Sequence, residues 1–184
     1  FPVDATLDRL DAAGTLDAAQ IEAIAATVAR FHENDCARAP ADSAWGSPDT
    51  LWQPVAQNFV QIAPRLDADA DRERLAVLER WSTAEHARLA PLMTARKRAG
   101  WVRECHGDLH LGNLAWVDGR PLVFDCIEFN PALRWIDVQS EIAFCYMDLL
   151  QRGHSQWAWL FLNVWLEYTG DFSGLALLRY YAVY

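Results

Sequence analysis

The stretch NLAWVDGRPLVFD, residues 113–125, sets two apolar runs on either side of Asp118-Gly119. An Asp-Gly pair in that setting supplies the positive φ values that a two-residue hairpin turn demands. Antiparallel strands are therefore predicted at 113–117 and 121–125. Nearly everything around them reads helical. Asp17 is an N-cap with Gln20 at the capping-box position, followed by Ile21, Ile24, Ala25, Val28 and Phe31 at helical spacing. A second helix is expected over residues 49–63, ending before Pro64. The charged stretch 67–98 reads as a long, solvated helix bent near Pro91, with Gly100 ending it. Helical pattern returns at Pro131 and runs through three further segments, the last from Asp171. The expected architecture is mainly α with a small β-hairpin (α+β), a single domain over residues 1–184.

Composition narrows the function classes. At 52% hydrophobic residues the 184-residue chain can build a substantial core. A formal net charge of −9 opposes non-specific nucleic-acid binding, which needs a basic face, and no basic run suggests a membrane surface. No signal peptide or apolar span of membrane length occurs, so a cytoplasmic location is expected. Cys36, Cys105, Cys126 and Cys145 form no C-x-x-C pair and read as free thiols of a reducing compartment. The chain opens at Phe1 without a methionine and closes on LALLRYYAVY, an apolar helical pattern with no stop signal. The expectation is a stretch of a longer protein.

The octapeptide HGDLHLGN, residues 106–113, carries the chemistry-bearing side chains. Three readings compete: a metal-hydrolase cluster, a phosphoryl-transfer loop, or a polar turn. Hairpin pairing brings Asn113, which starts the first strand, close to Asp125, which ends the second, with Asp108 in the loop before them. Two oxygen donors of this hard kind suit Mg²⁺, which completes its shell with water and phosphate oxygens. Asp108 is then free to accept a proton from an attacking hydroxyl, the arrangement that phosphoryl transfer requires.

H-x-D-x-x-x-x-N followed by an apolar strand ending in aspartate resembles the catalytic segment of the aminoglycoside phosphotransferase and choline kinase group within the protein-kinase-like fold. The resemblance is specific over residues 104–150, with the catalytic segment at 104–140, and fold-level elsewhere. It implies that Asp108 is the catalytic base, Asn113 a metal ligand, and Asp125 the metal-binding aspartate that stands for the first residue of the kinase D-F-G. It implies that His106 supports the loop rather than reacts, and that His32 is a packing histidine. Asp137, twelve residues after Asp125, stands where these families place an aspartate that ties down the loop. On a helix apolar nearly all round, its carboxylate needs hydrogen bonds, and the backbone N–H groups of residues 106–108 are the expected donors. His110 and Glu128 are candidates for substrate contact or for support around the metal. The chain departs from the pattern at Ile127, where a protein kinase has the D-F-G glycine, and Glu128 lies one place later than in D-x-E.

HGDLHLGN…FDCIEFNP…RWIDVQSE further resembles a little-characterised bacterial group of phosphotransferase-like domains, some joined to a P-loop ATPase module; no Walker motif occurs here. No glycine-rich strand-turn-strand and no lysine in a V-A-I-K context is found either. The resemblance thus implies a C-terminal lobe whose N-lobe lies outside this chain, inactive by itself. The implied reaction moves the γ-phosphoryl group of ATP, or GTP, to a hydroxyl of a small molecule with Mg²⁺ as cofactor. Family analogy offers aminoglycosides, choline, sugars and amino alcohols as acceptors, and Glu128, Glu141 and Asp148 are compatible with a cationic one. Two alternatives stand beside it. One is a non-catalytic kinase-like binding or regulatory module. The other is a metal-dependent hydrolase using His106, Asp108, His110 and Asp125.

Overall fold

The computed structural model describes residues 2–183; Phe1 and Tyr184, the outermost residues of the two ends noted above, lie outside the described residues. Helix α1 (Leu7–Ala12) leads into α2 (Ala18–Arg30), which Asp17 caps. The capping box is complete: Asp17 accepts from the Gln20 N–H at 2.8 Å, and Gln20 accepts in return from the Asp17 N–H at 2.9 Å. One π turn, Phe31–Asp35, continues α2. Two helices follow, α3 (Pro48–Ile62) and the 30-residue α4 (Asp69–Arg98), which runs on through Pro91. Strand β1 is Val102–Glu104. The hairpin is β2 (Leu114–Val117) and β3 (Arg120–Val123), with Leu114 opposite Val123 and Val117 opposite Arg120. Asp118 and Gly119 take φ values of 51° and 73°, the left-handed pair that a type I′ turn requires.

Strand β4 (Trp135–Asp137), α5 (Val138–Gln151), α6 (Ser155–Thr169) and α7 (Leu175–Val183) complete the chain. Helix α5 packs on both α6 and α7, and α2 lies against α6. Ile21, Ile24 and Val28 of α2, Ile142 and Leu149 of α5, and Phe161 and Trp165 of α6 are almost wholly buried there. Each such side chain contributes about 1.5–3 kcal/mol on leaving water. Trp165 belongs to this core, whereas Trp159 is half exposed. No described helix is long and apolar enough to cross a membrane.

Two expectations need correction. The helical pattern from Pro131 breaks: Trp135–Asp137 is a strand, pairing antiparallel with β1 so that Val102 faces Asp137 and Glu104 faces Trp135. Asp137 is therefore the N-cap of α5, accepting from the Gln139 N–H at 2.9 Å, and is not inside a helix. A short apolar run such as LRWIDV fits either period, and only the distant partner decides. The reading of residues 67–98 as a solvated face fails near its end, where Arg96 is 3% exposed. Its guanidinium forks to Asp137 at 2.7 and 2.8 Å and to Asp171 at 2.6 and 2.7 Å. Burial pushes the Asp137 carboxyl upward, against the pull of Arg96.

Candidate active site

The loop between β1 and β2 is held in place by two carboxylates of α5, one of them braced in turn from the end of α2 and from α6. Gly107, at φ 87°, donates its N–H to Glu141 Oε2 of α5 at 2.8 Å. A Cβ at Gly107 would sit 2.6 Å from the Leu133 carbonyl oxygen, so both the space and the backbone angle demand glycine. Glu141 Oε1 lies 2.9 Å from His32 Nε2, and His32 Nδ1 accepts from the Trp165 indole N–H at 3.0 Å. An indole N–H only donates, so the His32 proton is on Nε2 and the ring is neutral. A buried relay thus runs from α6 through the end of α2 to the loop. Farther along, the Leu111 N–H donates to Asp148 Oδ2 at 2.9 Å, a second tie to α5.

Within the loop, His106 Nδ1 accepts from the Asp108 N–H at 3.2 Å, and Nε2 bonds the Phe124 carbonyl at 2.7 Å. The Phe124 N–H donates to the Asn113 carbonyl at 3.1 Å, and the Ile127 N–H to that of His106 at 3.0 Å. The segment carrying Asp125 is thereby fastened to both ends of the loop. Asn113 Nδ2 donates to the Asp108 backbone carbonyl at 2.9 Å and to Asp108 Oδ2 at 3.0 Å. Asp108 and Asn113 are in direct contact, as their spacing suggests. His110 Nδ1 accepts from the Gly112 N–H at 3.0 Å, which leaves its Nε2 proton facing Asp108 Oδ2 across 3.6 Å.

The two aspartates open onto different spaces. Asp108 lines a cavity of about 250 Å³ with Asn58, Ser140, Phe144 and Tyr181. Asp125 is exposed on a larger one of about 880 Å³, bounded by the end of α2 and by β3; Glu141 lines both. Asp125 adopts φ 61°, a left-handed conformation that aspartate tolerates better than most side chains. Glu128 is exposed in the loop beyond.

Asp137 does not take the role expected of it. Its oxygens bond Arg96 and the Gln139 N–H, while the carboxylate that reaches the 106–108 backbone is Glu141. Glu141 and Asp148, acids compatible with a cationic acceptor, both hold the loop, and Glu141 also lines both cavities. A signal for them was present: the two carboxylates stand seven residues apart on the buried face of a mostly apolar helix, so both needed internal donors. The hydrolase reading fails on His106, whose two ring nitrogens are both spent on backbone groups, the Phe124 carbonyl and the Asp108 N–H.

Glu141→Gln tests the anchor. Glutamine offers one acceptor where His32 and Gly107 present two donors, so one donor is stranded. The expected cost is about 1–3 kcal/mol of stability. Faster amide exchange at Gly107 than in the parent is the accompanying local readout; unchanged exchange would place the anchor elsewhere.

The chain is similar to known proteins. An uncharacterised protein of Mycobacterium tuberculosis and one of Mycobacterium bovis are each 26% identical over 168 residues, covering 89% of this chain. The chain spans only 33% of their length. Among solved structures, a glucosamine kinase superposes with a TM-score of 0.55 at 21% identity, over 98% of this chain and 47% of that one. That likeness establishes a kinase-like fold. The family model described as "Phosphotransferase enzyme family" (APH) matches residues 6–171. With most of its length so matched, and with the H-G-D loop and hairpin in place, the chain belongs to the APH phosphotransferase family.

Proposed function

We propose that the full-length protein transfers the γ-phosphoryl group of ATP, or GTP, to a hydroxyl of a small polyhydroxy or amino-sugar acceptor. The observation that carries this reading is the Asp108 carboxylate, held by Asn113 at 3.0 Å at the edge of a small, mostly apolar cavity that Asn58, Ser140 and Glu141 also line. With Oδ2 engaged by Asn113, Oδ1 is the atom that orients an acceptor hydroxyl and takes its proton. A fixed loop keeps that oxygen in position, so little reorganisation is needed as the hydroxyl attacks.

The donor set suits Mg²⁺. The Asn113 amide nitrogen is committed to Asp108, which leaves its carbonyl oxygen as a hard donor, and Asp125 presents an exposed carboxylate on the neighbouring cavity, in a segment tied to Asn113 by the Phe124 N–H. When bound, the ion would neutralise charge on the phosphate oxygens. A cavity of about 250 Å³ favours a monosaccharide-sized acceptor over a multi-ring aminoglycoside. Glucosamine, which the name of the solved neighbour carries, falls in that class.

Acceptor-dependent ADP release from MgATP, measured on the full-length protein with monosaccharides, amino sugars and amino alcohols, is the test. Release that no acceptor in the panel stimulates would overturn the reading. Asp125→Asn keeps tolerance of the left-handed backbone and removes only the charge. It is expected to weaken Mg²⁺-dependent nucleotide binding about 10–100-fold by calorimetry. Unchanged affinity would remove Asp125 from the metal's surroundings.

A further inference from the structure

We propose that Cys36 and Cys105 form a cross-strand thiol pair that closes reversibly to a disulfide at the base of the 106–113 loop. Backbone register carries the argument. Arg38 lies opposite Arg103 in an antiparallel bridge. The Ala39 N–H donates to Val102 at 2.9 Å and the Glu104 N–H to Ala37 at 2.8 Å, so the bridge falls between the hydrogen bonds. Two residues along each strand, Cys36 stands opposite Cys105 at the next such position. Pairs of this type bring their Cα atoms to about 4.5 Å, inside the ~4.4–6.8 Å span that disulfides bridge. Cys36 has the extended backbone this requires, φ −71° and ψ 123°. The side chains agree: both sulfurs and a ring nitrogen of His32 lie within 4.8 Å of one another, and both thiols are free.

The two sulfurs differ in access. Cys105 is 2% exposed and its thiol is pushed well up by burial, whereas Cys36 is only partly buried. A peroxide therefore meets Cys36 first. The Cys36 sulfur attacks one peroxide oxygen, the O–O bond breaks, and the hydroxide that leaves takes up the Cys36 proton as water, giving a sulfenic acid. The Cys105 sulfur then attacks Cys36, the S–S bond forms, the S–O bond breaks, and the Cys105 proton departs with the oxygen as water. Two thiols and one peroxide thus yield one disulfide and two waters.

The same donors form a potential soft-metal set. However, the two His32 nitrogens are taken by Trp165 and Glu141, and a metal on either would break the relay that holds Gly107. The covalent pair leaves that relay intact.

The experiment treats full-length protein carrying Cys126→Ser, which removes an exposed competing thiol, with stoichiometric hydrogen peroxide. Non-reducing peptide mapping follows. The expected product is a peptide linking Cys36 to Cys105 that disappears with dithiothreitol. The link is read in a chain whose Cys36 and Cys105 are native, so it does not depend on a variant of either one folding. Sulfinic acid at Cys36 without the link, or alkylation of both thiols after treatment, would overturn the proposal. So would one zinc per chain in the purified protein that is released on oxidation. Because the readout is a bond and not turnover, the outcome is independent of the proposed phosphotransfer.

Discussion

Asp108→Asn in the full-length protein is expected to lower acceptor phosphorylation by about 10²–10⁴-fold, the usual worth of a positioned general base. Binding of MgATP should stay unchanged. The substitution is nearly isosteric, and asparagine can still accept from the Asn113 amide that now lies 3.0 Å from Oδ2. What disappears is the ability to take a proton from the attacking hydroxyl. The loss should therefore fall on kcat, and raising pH should not restore it. A variant that kept near-parental turnover would show that Asp108 does not serve as the base. A variant that lost nucleotide affinity in equal measure would place it among the phosphate contacts instead.

Arg96→Ala is expected to be the most destabilising single change away from that loop, by about 3–5 kcal/mol. For a chain of this size that corresponds to roughly 6–20 °C in Tm. The arginine faces two buried carboxylates, Asp137 and Asp171, 1% exposed each, and removing it leaves both without their cation. Acidity supplies the check. Uncompensated buried carboxyls have folded pKa values above their unfolded ones. Their contribution is then intact below the unfolded pKa of about 4 and lost as pH rises through the folded value. The gap between variant and parent should accordingly narrow as pH falls toward about 4. A gap that widened on acidification would mean that the carboxylates are not what the arginine satisfies. Arg72→Ala, which breaks an exposed pair on the same helix, should leave Tm unchanged.

Local chemistry made part of this molecule legible before any coordinates. Asp17 and Gln20 mark a helix start within four residues, and Asp118-Gly119 marks a turn within two, because in each case the deciding partners are neighbours in sequence. The octapeptide is readable for the same reason: Asp108 and Asn113 are five residues apart and touch. What stayed hidden depends on partners far along the chain. Three residues of β1 are too short to carry a period, and their strand character comes from Trp135–Asp137. Arg96 looks like any other charge on a polar helix until Asp137 and Asp171 fold against it. The partners of Glu141 stayed hidden because its two donors, His32 and Gly107, stand 109 and 34 residues before it.

The pairing of Ala37 and Ala39 with Glu104 and Val102 has an architectural consequence. The chain leaves for α3 and α4 and returns from them at the same short ladder, so the helical pair is a cassette plugged into one socket. Beyond the ladder it is held by the fork of Arg96, by α4 against α7 with His86 Nδ1 2.8 Å from the Tyr180 hydroxyl, and by Leu51, Val55, Leu89 and Met93 in the common core. The face of α3 brings Asn58 over the Asp108 cavity. A foreign pair of helices grafted between the same two strands would have to supply the Arg96 fork and that share of the core before it could present a different wall to the Asp108 cavity. In such a scaffold, the wall that carries Asn58 and the loop that carries Asp108 come from separable stretches of the chain.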